Sequence, residues 1–198
     1  MIASFKFLMV LPALLGIATR ATPVINRGIL PAVHSAQEMS PRSASTCADP
    51  SLATTIFQAY SGTNTAHIMD VRYRLVNADS IQNAAPALWT FQGAVFKGWR
   101  TQQPFTVPLF TLISSDNSDS VFIIGADAQT PPVVSGFTPG AIVAWVYDTA
   151  VCDSVPLMSA VLAAKTDHYY TTDPDDHAGL LSAGWTDGGV AAFVLPAM

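Results

Sequence analysis

The side chains best suited to chemistry gather in one short segment, Asp167-His168-Tyr169-Tyr170, followed after a short interval by Trp185. A carboxylate, an imidazole and two phenols in succession offer hydrogen-bond donors, acceptors and ring faces. Proteins hold sugars with such a set, an aromatic platform and a few oriented polar groups. His67 and Trp89 recur upstream, so the candidate ligand-binding residues are His67, Trp89, Asp167, His168, Tyr169, Tyr170 and Trp185. Two blander readings compete. The histidines can bond turn carbonyls and brace hairpins, and the tryptophans can be core packing.

A second cluster, Asp173-Pro174-Asp175-Asp176-His177, invites a metal. Calcium needs about six to eight converging oxygens, and no loop of EF-hand spacing is present. Helix capping accounts for Asp173, Asp175 and Asp176 without an ion. No metal or cofactor is therefore expected. No G-x-S-x-G elbow, H-E-x-x-H helix or phosphate loop occurs. The lone glutamate is Glu38, so a two-carboxylate hydrolase would have to draw on Asp70, Asp119 and Asp167. No residue is assigned a catalytic role, and an aspartate-based hydrolase stands third among the readings.

The elements that must position these groups are visible as internal repetition. Val107-Pro108-Leu109 returns as Val155-Pro156-Leu157 at a shift of 48, as do Gly136, Thr138 and Gly140 at Gly184, Thr186 and Gly188. Ile56-Phe57 precedes Leu109-Phe110 by 53, and Trp89-Thr90 precedes Phe137-Thr138 by 48, so the first copy carries five extra residues (53 − 48). Repeats at about 54–103, 104–153 and 154–198 follow, each read as strand, strand, short helix, strand. In the third copy the strands are placed at Val155–Leu162, His168–Thr172 and Val190–Leu195. Asp173 caps a helix that Gly184 ends, and Asp187-Gly188-Gly189 is read as a turn. Pro131-Pro132 removes the helix from the second copy, while Asn77 or Asp79 is expected to cap a short helical turn in the first. The expected fold is mainly β, a β-trefoil-like closed domain of three pseudo-symmetric repeats; an α+β three-repeat arrangement is the alternative.

Residues 1–21 read as a secretory signal peptide, with Lys6 before the apolar run Phe7 to Leu15 and small residues at the end. Residues 22–46, rich in Ser, Ala, Pro and Thr, read as a flexible leader, and 47–198 as a single domain. Losing Lys6 and Arg20 would move the formal charge from −5 to −7. An acidic chain without a basic stripe is a poor partner for nucleic acid, and no later stretch can span a bilayer. Cys47 and Cys152 are expected to form a disulfide in a secreted, extracellular protein; two buried free thiols are the other possibility.

The run V-P-L…T-D-H-Y-Y-T-T-D-P-D-D-H-A-G-L-L-S-A-G-W-T-D-G-G-V-A-A-F-V, from Val155 onward, resembles the repeat of a secreted family of bacteria and fungi. That family is the domain of unknown function numbered 5648. Its unit runs roughly P-L-Y-R…D-H-F-Y-T-T…G-W…E-G-V-A-F. The first copy matches through His67, Trp89 and Gly93. The second departs at Ser120 and Phe137, and the third has Gly188 where the family often has glutamate. The resemblance implies an accessory or recognition role beside secreted hydrolases. The leading expectation is a secreted, non-catalytic domain that binds extracellular or cell-wall carbohydrate, with sites in copies one and three and the second copy a structural remnant. The alternative is a secreted protein-interaction module, a protease inhibitor or effector, acting on a secreted or cell-surface protein through the loop at 73–88.

Overall fold

The computed structural model describes residues 47–81 and 88–198. The expected signal peptide (1–21) and leader (22–46) lie outside the described residues, as do residues 82–87 of the loop read at 73–88, whose first part, through Ile81, is helical. The protein is mainly β. The strands are β1 (Thr54–Ser61), β2 (Ala66–Asp70), β3 (Trp89–Gly98), β4 (Val107–Ser114), β5 (Ser120–Ile124), β6 (Phe137–Val146), β7 (Val155–Leu162), β8 (Asp167–Thr171) and β9 (Thr186–Pro196). Among the described residues two α-helices, α1 (Arg72–Ile81) and α2 (Pro174–Ser182), follow β2 and β8.

Three antiparallel triplets result, β2-β1-β3, β5-β4-β6 and β8-β7-β9, each with its first strand in the centre. Their registers coincide. Leu109 faces Ala144 and Leu157 faces Ala192, a shift of 48 on both strands, and the irregularity after Leu109 recurs after Leu157. In the first triplet the same irregularity falls after Ile56. A short β3–β9 ladder joins two triplets into a six-stranded sheet, while the bridges Trp99–Trp145 and Tyr147–Phe193 attach the third. The sheets curl into a half-barrel. These ladders do not close a barrel of the trefoil kind, because β2 and β8 remain the edges of one sheet and β5 and β6 those of the other.

The core sits where the triplets meet. Ile56, Leu109 and Leu157, one per central strand, are fully buried, and Met69, Phe122 and Tyr170 on the second strands pack with them. Burying each such side chain is worth about 1.5–3 kcal/mol. The tryptophan position behaves differently: Trp89, Phe137 and Trp185 are only half-buried. Cys47 and Cys152 form a disulfide, which closes a loop of 105 residues and limits the unfolded chain by about 4–5 kcal/mol on the chain-entropy model.

Two local expectations need correction. Asn77 and Asp79 lie inside α1, which begins at Arg72 almost directly after β2; the Val71 N–H between them is taken by the Asp70 carboxylate at 2.7 Å. Asp187-Gly188-Gly189 belongs to β9: a register shift between Ser159 and Ala160 absorbs the glycines, and Gly188 packs so tightly on Ser159 that an added Cβ would fall 2.7 Å from its Oγ. The helix in the third triplet is as read, with the Asp173 side chain accepting the Asp175 N–H and Pro174 opening the first turn. Residues 125–136 of the second triplet contain no helix.

Candidate functional site

The second strands β2, β5 and β8 are neighbours around the middle of the domain, and their side chains alternate between faces. Asp167 and His168 are adjacent, so they point to opposite sides of β8 and reach different triplets. Asp167 turns to β2, where Oδ1 accepts the His67 backbone N–H at 3.0 Å and both carboxylate oxygens lie 2.9 Å from His67 Nδ1. His168 turns to β5, with Nδ1 2.8 Å from Asp119 Oδ2. The corresponding position in the third interface holds Ala66 and Ser120, so no such pair forms there. Neither histidine bonds a turn carbonyl; His177 Nε2 bonds a carbonyl, but that of Ser159 inside strand β7, at 3.1 Å.

The Asp167 pair continues as a directed chain. The Tyr170 N–H donates to Gln58 Oε1, Gln58 Nε2 to Gln92 Oε1, and Gln92 Nε2 to His67 Nε2 at 3.2 Å. A single arrangement satisfies every link: a neutral His67 protonated on Nδ1, donating to Asp167. Asp167 and His67 are both buried, 4% and 6% exposed, so each unmet donor here would be costly. His168 differs, since its Nε2 has no protein partner among the described residues.

Beside the His67–Asp167 pair lies a cleft of about 430 Å³, lined by Tyr60, Thr65, His67, Gln92, Leu162, Lys165, Asp167 and Trp185. Three rings enclose the pair. Tyr60 stacks at 4.6 Å from His67, Tyr169 meets it edge-on at 4.9 Å, and Trp185 closes the wall 6.5 Å from His67 and 6.2 Å from Tyr169. Local structure sets the Trp185 ring: Gly184, at φ +96°, ends α2, and the Trp185 N–H returns to Leu180 O at 3.1 Å. Burial pushes the Tyr169 hydroxyl above the ordinary phenol range, and the Asp176 carboxylate adds to this.

A cleft of about 380 Å³ repeats this design one interface further on, with Val161, Thr166 and His168 facing Ser114, Asp119 and Phe137. Val161, Thr166 and His168 are the counterparts of Tyr60, Thr65 and His67, and Asp119 and Phe137 those of Asp167 and Trp185. This second cleft has an acidic rim where the first has Lys165. Asp116 stands there, its carboxyl held at about 2 by hydrogen bonds from the Ser114 and Ser118 side chains.

The residues proposed from sequence are thus regrouped. His67, Asp167 and Trp185 meet in one cleft, Tyr169 packs on the His67 and Trp185 rings without lining it, and His168 belongs to the other. Tyr170 is a core residue, 3% exposed, stacked edge-on against Phe122 with its hydroxyl accepting the Phe122 N–H at 3.0 Å. Trp89 is half-buried at the head of β3 and lines neither cleft. Sequence reasoning missed Tyr60 and Gln92 and set Phe137 aside. Gln92 carried a signal, because it occupies the position held by Gly140 and Gly188 in the other copies. Among the described residues no group of three or more His, Cys, Asp or Glu side chains is placed to hold a metal ion. None of their helices is long and apolar enough to cross a membrane.

Fold and site together define a mainly β protein with ligand-sized clefts between its strand triplets. The chain belongs to the family described as Domain of unknown function (DUF5648), whose model matches residues 55–195. No curated protein and no solved structure shows a significant match to it.

Proposed function

We propose that this is a secreted, non-catalytic module that binds extracellular or cell-wall carbohydrate in the clefts between three repeated β units. The coincident strand registers support triplication, and the Cys47–Cys152 disulfide supports an oxidising compartment. The observation that carries the reading is the first cleft itself. The half-buried Trp185 and Tyr60 rings supply apolar faces, and His67, Gln92, Asp167 and Lys165 supply polar groups at their edges. Sugars present apolar C–H faces bordered by hydroxyls, which is the complement of that lining. The second cleft repeats the plan with a smaller aromatic wall, so copy two contributes Asp119 and Phe137 to binding and is no mere remnant.

Glycan arrays and pull-downs on insoluble wall polysaccharides with the secreted protein test this. Retention of at least one glycan is expected, weakened about tenfold by Trp185→Ala. Absence of retention on every glycan at millimolar concentration would remove the proposal.

A further inference from the structure

Away from these clefts, a larger hollow of about 740 Å³ opens between the start of β1 and the start of α1. Its lining includes Phe57, Val71, Arg72, Tyr73, Val76 and Arg100. We propose that it binds an organic oxyanion, a carboxylate, sulfate or phosphate head on an apolar or ring-shaped body.

The electrostatics of the hollow are unresolved within the protein. Arg72 and Arg100 line it, and Arg74 and Arg100 share a single carboxylate, Asp70, which already accepts the Val71 N–H and the Arg74 guanidinium at 3.3 Å. Arg100 Nη1 is buried without a hydrogen-bond partner among the described residues, and Asp70 Oδ1 at 3.8 Å is too far to be one. Its Nη2 approaches only the Tyr73 hydroxyl, at 3.5 Å. Arg100 also lies over the Tyr73 ring, 5.9 Å from its centroid. A guanidinium is a fork of donors made for oxyanions, and this one has only a long ion pair to Asp70 to answer it.

The start of α1 sharpens the point. Cations disfavour a helix N-terminus, yet Arg72 and Arg74 occupy the first turn of α1 and no acidic residue does. Asp173 and Asp175 hold the corresponding places at α2, where they cap the helix. The charge is reversed between two helices that follow equivalent strands in an otherwise acidic chain. An anion in the hollow would offset the Arg72 and Arg100 guanidiniums that line it and suit the α1 dipole. Phe57, Val71 and the exposed Tyr73 and Val76 provide apolar surface for its body.

Titration calorimetry of the full chain at constant ionic strength tests this, with sodium sulfate as the head alone and phenyl phosphate as head plus ring. Saturable binding of both above a sodium chloride control is expected, with phenyl phosphate the tighter. Arg100→Met should weaken each about tenfold or more. Arg72→Gln, at an exposed residue that the fold does not need, should do so with an unchanged melting temperature, while Trp185→Ala should leave both affinities intact. Binding no stronger than that of chloride, or affinity indifferent to both arginine changes, would overturn the proposal. Equal affinity for the two probes would overturn its apolar part.

Discussion

Asp119 and Asp167 occupy equivalent positions and bond equivalent histidines, yet replacing them with asparagine should have unequal consequences. In Asp167→Asn the new Oδ1 still accepts the His67 backbone N–H, but the new amide donor faces Nδ1. His67 can answer by moving its proton to Nε2, which then meets the Gln92 amide donor. Gln92 can flip in turn, but the clash only moves toward Gln58, which is 2% exposed and fixed by the Tyr170 N–H. One donor in the chain is left unmet, a loss of about 2 kcal/mol. In Asp119→Asn the same proton shift exposes a His168 Nε2–H that no protein group opposes, so the cost falls to about 0.5 kcal/mol. Asp167→Ala, which strands both the His67 N–H and Nδ1–H, should cost about 3–4 kcal/mol. Urea unfolding at pH 8, above the ordinary imidazole range, measures all three from midpoints at constant slope. In a Gln92→Ala background the Asp167→Asn penalty should shrink to that of Asp119→Asn. Equal penalties at the two aspartates in the native background would refute the directed-chain argument.

Two further predictions rest on single residues. Leu88 sits at φ +47° where the other copies have Gly136 and Gly184, and it is 61% exposed, so Leu88→Gly should relieve about 1 kcal/mol of strain and raise the melting temperature by about 2–4 °C; a fall would contradict it. The Tyr170 hydroxyl is pushed up to about 12 by burial, against about 10 in the unfolded chain, so between pH 10 and 12 the unfolded state loses its proton first. Stability from this group is whole below pH 10 and declines by about 2–3 kcal/mol as pH rises through 12. Tyr170→Phe should therefore lose stability less steeply over that range, and parallel curves would count against the assignment.

Much of the fold was legible because its causes are local. The cap at Asp173, the proline after it and the glycine stop at Gly184 act within a few residues, so α2 could be placed from sequence alone. The 48-residue shift likewise located the strands, since each central strand must present one apolar residue, Ile56, Leu109 or Leu157, to a shared core. Where local signals conflicted, the reading failed. Asp187-Gly188-Gly189 has turn chemistry, yet pairing with β7 holds it extended as a bulged strand.

The site required the tertiary structure. Tyr169 and Tyr170 are indistinguishable as residue types, but strand alternation sends one against the His67 and Trp185 rings and the other into the core. Which neighbour each side faces is set by how the triplets pack. His67 and Asp167 are a hundred residues apart, and no periodicity in the chain announces that they touch. The amino-acid sequence by itself determined most of the strands and the ends of α2, because those follow from short-range sterics and hydrogen bonding. Only the folded chain decided that histidines pair with carboxylates of the next unit, because that depends on packing around a common centre.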